Sequence, residues 1–181
     1  MTNQIGTLEF FDDPQKGYHL KAEVVVRSPI ERVFDFFSSA ENLESLTPPW
    51  LNFRIVTPMP IEMRKGALLD YKIRLHMIPI NWRTEIADWQ PPFKFVDQQL
   101  KGPYKRWWHE HTFEDLGDGL TLVRDEVHYI PRGGSLLHQL MVKPDLHRIF
   151  SYRQQRLAER FKVCTVSPSP SVRLELADAS T

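Results

Sequence analysis

Gly102-Pro103-Tyr104-Lys105-Arg106-Trp107-Trp108-His109-Glu110-His111-Thr112-Phe113-Glu114 opens on a turn signal and then alternates as a β-strand does. With a side-chain period of two, Trp107, His109, His111 and Phe113 share one face. Tyr104, Arg106, Trp108, Glu110, Thr112 and Glu114 fall on the other, which carries most of the charge and is expected to meet water. An inner face that is aromatic yet holds two histidines suits the lining of a cavity better than a dry core.

Outward from this strand the same grammar repeats. Upstream, Phe93–Lys101 follows the Pro91-Pro92 turn. Ile80–Trp89 sets Ile80, Trp82, Thr84 and Ile86 against Asn81, Arg83 and Glu85. Gly66–His76 alternates, with Leu68, Ile73 and Leu75 among its apolar members, Met77-Ile78-Pro79 forms an apolar hairpin tip, and Phe53–Val56 is a short strand stopped by Pro58 and Pro60. Downstream, Gly117-Asp118-Gly119 turns the chain into Leu120–Ile130. These are six antiparallel strands joined by tight turns. A seventh, Tyr18–Arg27, precedes two short helices. Ser28-Pro29-Ile30-Glu31 reads as a capping box with proline at the first helical position, opening a helix over 29–37. Ser39 is expected to cap a second helix that runs through Leu46 and ends at Thr47-Pro48-Pro49. Residues 1–17 read as an arm with a short strand at 7–11. After Gly133-Gly134 a helical lead-in spans 136–142, and from Pro144 a long helix carries the stripe Leu146, Ile149, Phe150, Leu157 and Phe161. Arg153 sits inside that stripe, where an aliphatic residue is expected. Ser167-Pro168-Ser169-Pro170-Ser171 marks 164–181 as a disordered tail.

The fold expected is therefore α+β: a curved antiparallel sheet of about seven strands wrapped on a long C-terminal helix, with the domain over 18–163. Such a grip cannot close along its whole length without very large side chains, so a cavity is a natural by-product. With 181 residues the chain suffices for one domain with a sizeable core. Lys plus Arg and Asp plus Glu number 23 each, which argues against a phosphate-backbone binder, so no nucleic-acid partner is expected. The single cysteine, Cys164, excludes an intrachain disulfide and fits a reducing compartment. The first 13 residues lack the basic start and apolar run of a secretory signal, and nothing approaches the roughly 18 apolar residues of a membrane span. A cytoplasmic protein without integral membrane association is the expectation.

Several separated motifs, in order, resemble the START-like (SRPBCC, helix-grip) superfamily in its bacterial polyketide cyclase/dehydrase-like branch. They are Ser28 to Phe34 after the first long strand, Phe95-Val96-Asp97 with Gly102-Pro103-Tyr104, Trp107-x-His109-x-His111-x-Phe113-Glu114, Asp125-x-Val127-x-Tyr129, and Phe150-x-Tyr152-Arg153. The resemblance covers about residues 18–162. It implies the helix-grip fold and a range of functions: lipid and hormone carriers, cyclases, and domains fused to nucleotide-sugar epimerase-like reductases. Fold alone does not choose among them.

His109 and His111 are the sharpest candidates, about 6.5–7 Å apart along one face. They suit a general acid/base pair whose tautomer Asp125 fixes, but the preferred reading is a structural, cavity-lining network that satisfies Asp97, Asp125 or Tyr129. Asp97, Tyr129 and Arg153 would add polar groups to the cavity, and Trp82, Trp107, Phe113, Val127 and Phe150 its apolar lining. A His-x-His pair supplies two metal ligands, but a third would have to come from Asp97, Asp125 or further away, and His76, His128, His138 and His147 are scattered. No metal or other cofactor is expected. Phosphate loops and hydrolase elbows are absent. The reading is a binder of a hydrophobic or amphipathic small molecule. Its alternatives are a cyclase/dehydratase that uses the cavity histidines as general base, and a partner module for an epimerase-like reductase. A protein partner or homodimer is compatible with each.

Overall fold

The computed structural model describes residues 5–13 and 17–163. Period-two alternation makes the strands, and two turns of apolar periodicity make the helices. In chain order they are β1 (Thr7–Asp13), β2 (Gly17–Arg27), α1 (Ile30–Phe37), α2 (Ala40–Ser45), a 3-10 turn at Pro49–Leu51, β3 (Arg54–Ile55), β4 (Leu68–Leu75), β5 (Ile78–Gln90), β6 (Lys94–Lys101), β7 (Tyr104–Gly117) and β8 (Leu120–Pro131). Then come α3 (Gly134–Leu137), a π-turn at His138–Val142 and α4 (Lys143–Phe161). The strands form one antiparallel sheet in the order β1-β2-β8-β7-β6-β5-β4-β3. Register shifts in the β5–β6 and β7–β8 pairs add local twist and help curve the sheet around α4. This is the α+β helix grip, with one strand more than expected.

The extra strand is β1. It pairs with β2 from Thr7 opposite Glu23 to Asp13 opposite Gly17. Its apolar clip, Leu8 and Phe10, packs on the core around Leu20 and Phe150. The short strand expected at 7–11 runs two residues further, because the pairing edge of β2 gives its backbone partners as far as Asp13. The tail expected over 164–181, Cys164 included, lies outside the described residues.

Helix α1 starts one residue later than its sequence signal. Pro29 is the N-cap and its carbonyl accepts from Val33 N–H at 3.1 Å. Ser28 is thereby left outside the helix. Its hydroxyl is buried without a hydrogen-bond partner, and its carbonyl takes the Thr121 hydroxyl at 2.7 Å. The capping box is not formed. Ser39 does occupy the N-cap of α2, but through its carbonyl, which accepts from Asn42 N–H at 3.0 Å, and not through its side chain.

One end of the grip is solid. Phe34, Phe37, Phe95, Phe113, Leu157 and Phe161 close it together with Val24, Val26 and Val123, each large side chain contributing about 1.5–3 kcal/mol on burial. The terminal helix is tied to the sheet along its C-terminal half. Gln154 Nε2 donates to the Thr7 carbonyl at 2.7 Å, and Arg27 N–H donates to the Lys162 carbonyl at 3.0 Å. The π-turn at its start buries His138 completely, stacked on Tyr18 and 2.9 Å from the Tyr129 hydroxyl. Among the described residues, no helix is long and apolar enough to cross a membrane.

Candidate ligand site

Beyond the solid end, β4, β5 and α2 stand away from α4 and leave a cavity of about 190 Å³. An engineered apolar cavity of about 150 Å³ takes up benzene, so the space suits a compact ring system. Its floor is the inner face of β7, where the alternation holds: His109 and His111 are buried and Trp107 is half-buried. Leu146, Ile149 and Phe150 of α4 cover it, and Leu69 and Ile86 with the α2 residue Leu43 close the far wall.

The register brings the polar groups together. Asp97 on β6 pairs with His109, and Asp125 on β8 pairs with His111. His111 lies between the two carboxylates, Nδ1 at 2.6 Å from Asp125 and Nε2 at 3.0 Å from Asp97. His109 Nε2 is 3.1 Å from the same Asp125 oxygen, and its Nδ1 is 3.6 Å from Asp97. From α4, Arg153 Nε comes to 3.0 Å of the other Asp125 oxygen. The contact is an ion pair rather than an aligned hydrogen bond, since the Nε–H has no acceptor in line. The guanidinium rests on the Phe37 ring, 5.0 Å from its centroid.

These contacts fix the protonation states. Burial pushes the Asp125 carboxyl up, but Arg153 and both imidazoles outweigh it and hold it well below the usual carboxylate range. Burial likewise acts against ionised Asp97, and His109 and His111 override it downward. Burial lowers the His111 pKa, but its hydrogen bond to Asp125 and the negative charge there raise it above the ordinary value. A carboxylate only accepts, so an imidazole bonded to one at each nitrogen is the imidazolium. His109 is lowered by burial and by His111. It is neutral, and its single proton sits on Nε2, facing Asp125. Two carboxylates thus face one guanidinium and one imidazolium, and the network closes at zero charge. One donor atom each from Asp97, His109 and His111 lies within mutual reach of a metal ion, yet these donors are already engaged with Asp125 and with one another. The set fits an ion-pair network better than a metal.

Of the expected lining, Trp82, Asp97, Trp107 and Phe150 face the cavity together with His109, His111 and Arg153. Asp125 stands behind the histidines as their anchor. Phe113, Val127 and Tyr129 do not line it: Phe113 belongs to the solid end, and Val127 and Tyr129 pack beneath Leu20 and Leu146.

Two lining tyrosines escape the sequence reading. The expected outward placement of Tyr104 is corrected by a bulge, since Tyr104 pairs with Pro131 and Arg106 with Ile130, leaving Lys105 over. The extra residue swings Tyr104 inward, 4.7 Å from the Trp107 ring. Tyr71 shares the inner face of β4 with Leu69, Ile73 and Leu75, an alternation against Asp70, Lys72 and Arg74 that was there to be read. Its hydroxyl is 3.2 Å from that of Thr84, which also accepts from Trp82 Nε1 at 3.1 Å. Burial, and then Asp97, raise the Tyr71 pKa well above the phenol range. The hairpin tip does not line the cavity: Met77 and Ile78 are exposed, and the neighbouring His76 reaches Asp145 of α4 at 2.6 Å.

Comparison with known proteins agrees with this architecture. Residues 26–158 match the model of a family described as polyketide cyclase / dehydrase and lipid transport. No curated protein matches the sequence. Among solved structures, the protein Ms6760 from Mycobacterium smegmatis superposes with a TM-score of 0.62 at 16% identity, covering 86% of this chain and 96% of its own. The Zhui aromatase/cyclase from Streptomyces sp. R1128 gives 0.62 at 14% identity, covering 78% and 92%. The protein TTHA0849 from Thermus thermophilus gives 0.58 at 20% identity, covering 78% and 95%. At these identities the likeness is one of fold.

Proposed function

Because the chain belongs to the polyketide cyclase / dehydrase and lipid transport family, we propose that it holds a compact, neutral, hydrophobic or amphipathic molecule between sheet and terminal helix. The observation that carries this is the charge closure of the cavity floor. Asp97, Asp125, His111 and Arg153 neutralise one another, so a ligand carboxylate or ammonium would enter a site with no free counter-charge and would lose its hydration. A hydroxyl or carbonyl meets no such penalty. Asp97, whose side chain is 19% exposed, offers an acceptor towards the cavity, and Trp82, Trp107 and Phe150 supply faces for an apolar body.

The test is displacement of a neutral fluorophore such as 1-aminoanthracene by the matched pair 2-naphthol and 2-naphthoate. The naphthol should compete at least tenfold better, and Asp97→Asn should weaken it. Equal competition, or a preference for the carboxylate, would overturn the proposal.

A second reading, cyclase or dehydratase chemistry, is favoured by one feature: His109 is neutral on the cavity wall and its Nδ1 is unprotonated. That nitrogen could accept a proton from a bound carbon acid or hydroxyl, Asp125 holding the tautomer. Turnover of a polyketide-like substrate that His109→Gln abolishes without weakening binding would establish it.

A further inference from the structure

The face of the sheet remote from the cavity carries a second cluster. Strand pairing sets His19 of β2 opposite His128 of β8, and the row continues to Phe11 on β1 and Trp108 on β7. The two imidazoles lie face to face, centroids 4.3 Å apart and planes 4° from parallel. Phe11 stacks on His19 at 5.4 Å. Glu126, two positions before His128 on the same face, brings Oε2 to 3.7 Å of His19 Nε2. That nitrogen is buried and has no hydrogen-bond partner, an unusual state for a polar atom beside a carboxylate.

The neighbouring charges leave this trio to itself. Lys21, opposite Glu126, lies 3.1 Å from Glu23, and Arg124 lies 2.6 Å from the same carboxylate oxygen. Glu110, opposite Glu126 on β7, is 3.7 Å from Lys94.

One donor atom from each of His19, Glu126 and His128 lies within 4.8 Å of the others. Tetrahedral zinc with bonds of about 2.0–2.1 Å holds its donors about 3.4 Å apart. The His19–Glu126 edge therefore needs to close by only a few tenths of an ångström, and the exposed His128 ring must turn out of the stack to aim its nitrogen.

We propose that His19, His128 and Glu126 form a surface site for a divalent late transition metal, with Zn²⁺ as the natural fit. Two imidazoles and one carboxylate are a borderline-soft set, suited to zinc, nickel or copper and poor for calcium or magnesium. The fourth position is open to water. A bound ion clips β2 to β8, the pair through which the first strands of the chain join the last. The site is separate from the cavity and does not depend on what the cavity holds.

The experiment is calorimetric titration of untagged, chelator-treated protein with ZnCl₂ at neutral pH, with a thermal melt in parallel. One site with micromolar affinity and a raised Tm are expected. His128→Asn, a change at an exposed position, should weaken binding at least tenfold, and Glu126→Gln severalfold. Asp97→Asn, which disables the donor cluster inside the cavity, should leave zinc affinity unchanged. No binding at millimolar zinc, binding that survives His128→Asn undiminished, or binding lost in an Asp97→Asn protein that still melts cooperatively would each overturn the proposal.

Discussion

Replacing Arg153 with methionine tests the buried network most directly. The side chain is 10% exposed and its Asp125 partner 5%, at 3.0 Å. Methionine keeps much of the stem and removes the charge, leaving two carboxylates against one imidazolium. Removing one partner of a buried pair costs about 3–5 kcal/mol. One relief is available: His109, neutral in the native network, can take up a proton and restore the balance. Each unit by which its pKa rises returns about 1.4 kcal/mol where the proton is bound. A histidine whose folded pKa is raised stabilises the fold below its unfolded pKa, and that contribution is lost as pH rises through the folded value. The loss in Arg153→Met should therefore be about 4 kcal/mol near pH 8.5 and shrink to about 2–3 kcal/mol near pH 5.5. Urea unfolding followed by tryptophan fluorescence at several pH values measures it. Adding Asp125→Asn should return part of the loss, because the orphaned charge is then gone. A loss below about 1 kcal/mol, or one that does not vary with pH, would refute the charge assignment.

Three further outcomes are expected. In ring-proton NMR titrations His111 should titrate above, and His109 below, the ordinary imidazole value of about 6.5; both near 6.5 would contradict the tautomer assignment. Accordingly, the His111 contribution to stability should be full below about pH 6.5 and vanish as pH rises through its raised pKa, whereas that of His109 should be present above about pH 6.5 and be lost as pH falls. Gly102→Ala should cost about 1–2 kcal/mol in thermal or urea unfolding. A methyl there collides with the Gln99 amide, which bonds the Tyr104 carbonyl at 2.9 Å and N–H at 3.3 Å, so the loss should shrink when Gln99→Ala is already present. Phe150→Ala, at a position 3% exposed, should cost about 3–5 kcal/mol and enlarge the cavity enough to admit bulkier ligands in the displacement assay.

Strict alternation makes the β7 floor, and Asp97 and Asp125 beside it, legible in the sequence itself. So is Arg153, an arginine where an apolar helix stripe needs an aliphatic residue. Features that depend on pairing rather than on local pattern were not legible. Tyr104 was misplaced because one bulged residue reverses the parity of everything on its far side. The short strand expected at 7–11 is there, and its extension to Asp13 depends on the partner edge of β2 rather than on composition. His19 and His128 stand 109 positions apart, and only the β2–β8 register puts one ring on the other. Ser28 carried a capping signal that a neighbour overrode, since Thr121 holds its carbonyl and the helix begins beyond it.

The quartet of Asp97, Asp125, His111 and Arg153 also shapes how such a chain can drift in evolution. Any single exchange among the four leaves an odd charge sealed between sheet and helix, so the tolerable moves are paired ones that remove an acid and a base together. Sequences descended from a common ancestor with this one should then carry the whole set, a charge-conserving remnant of it, or an oily floor in its place, with few lineages stranded halfway. A floor of that kind would retain its pocket while changing which molecules it welcomes, in one correlated jump.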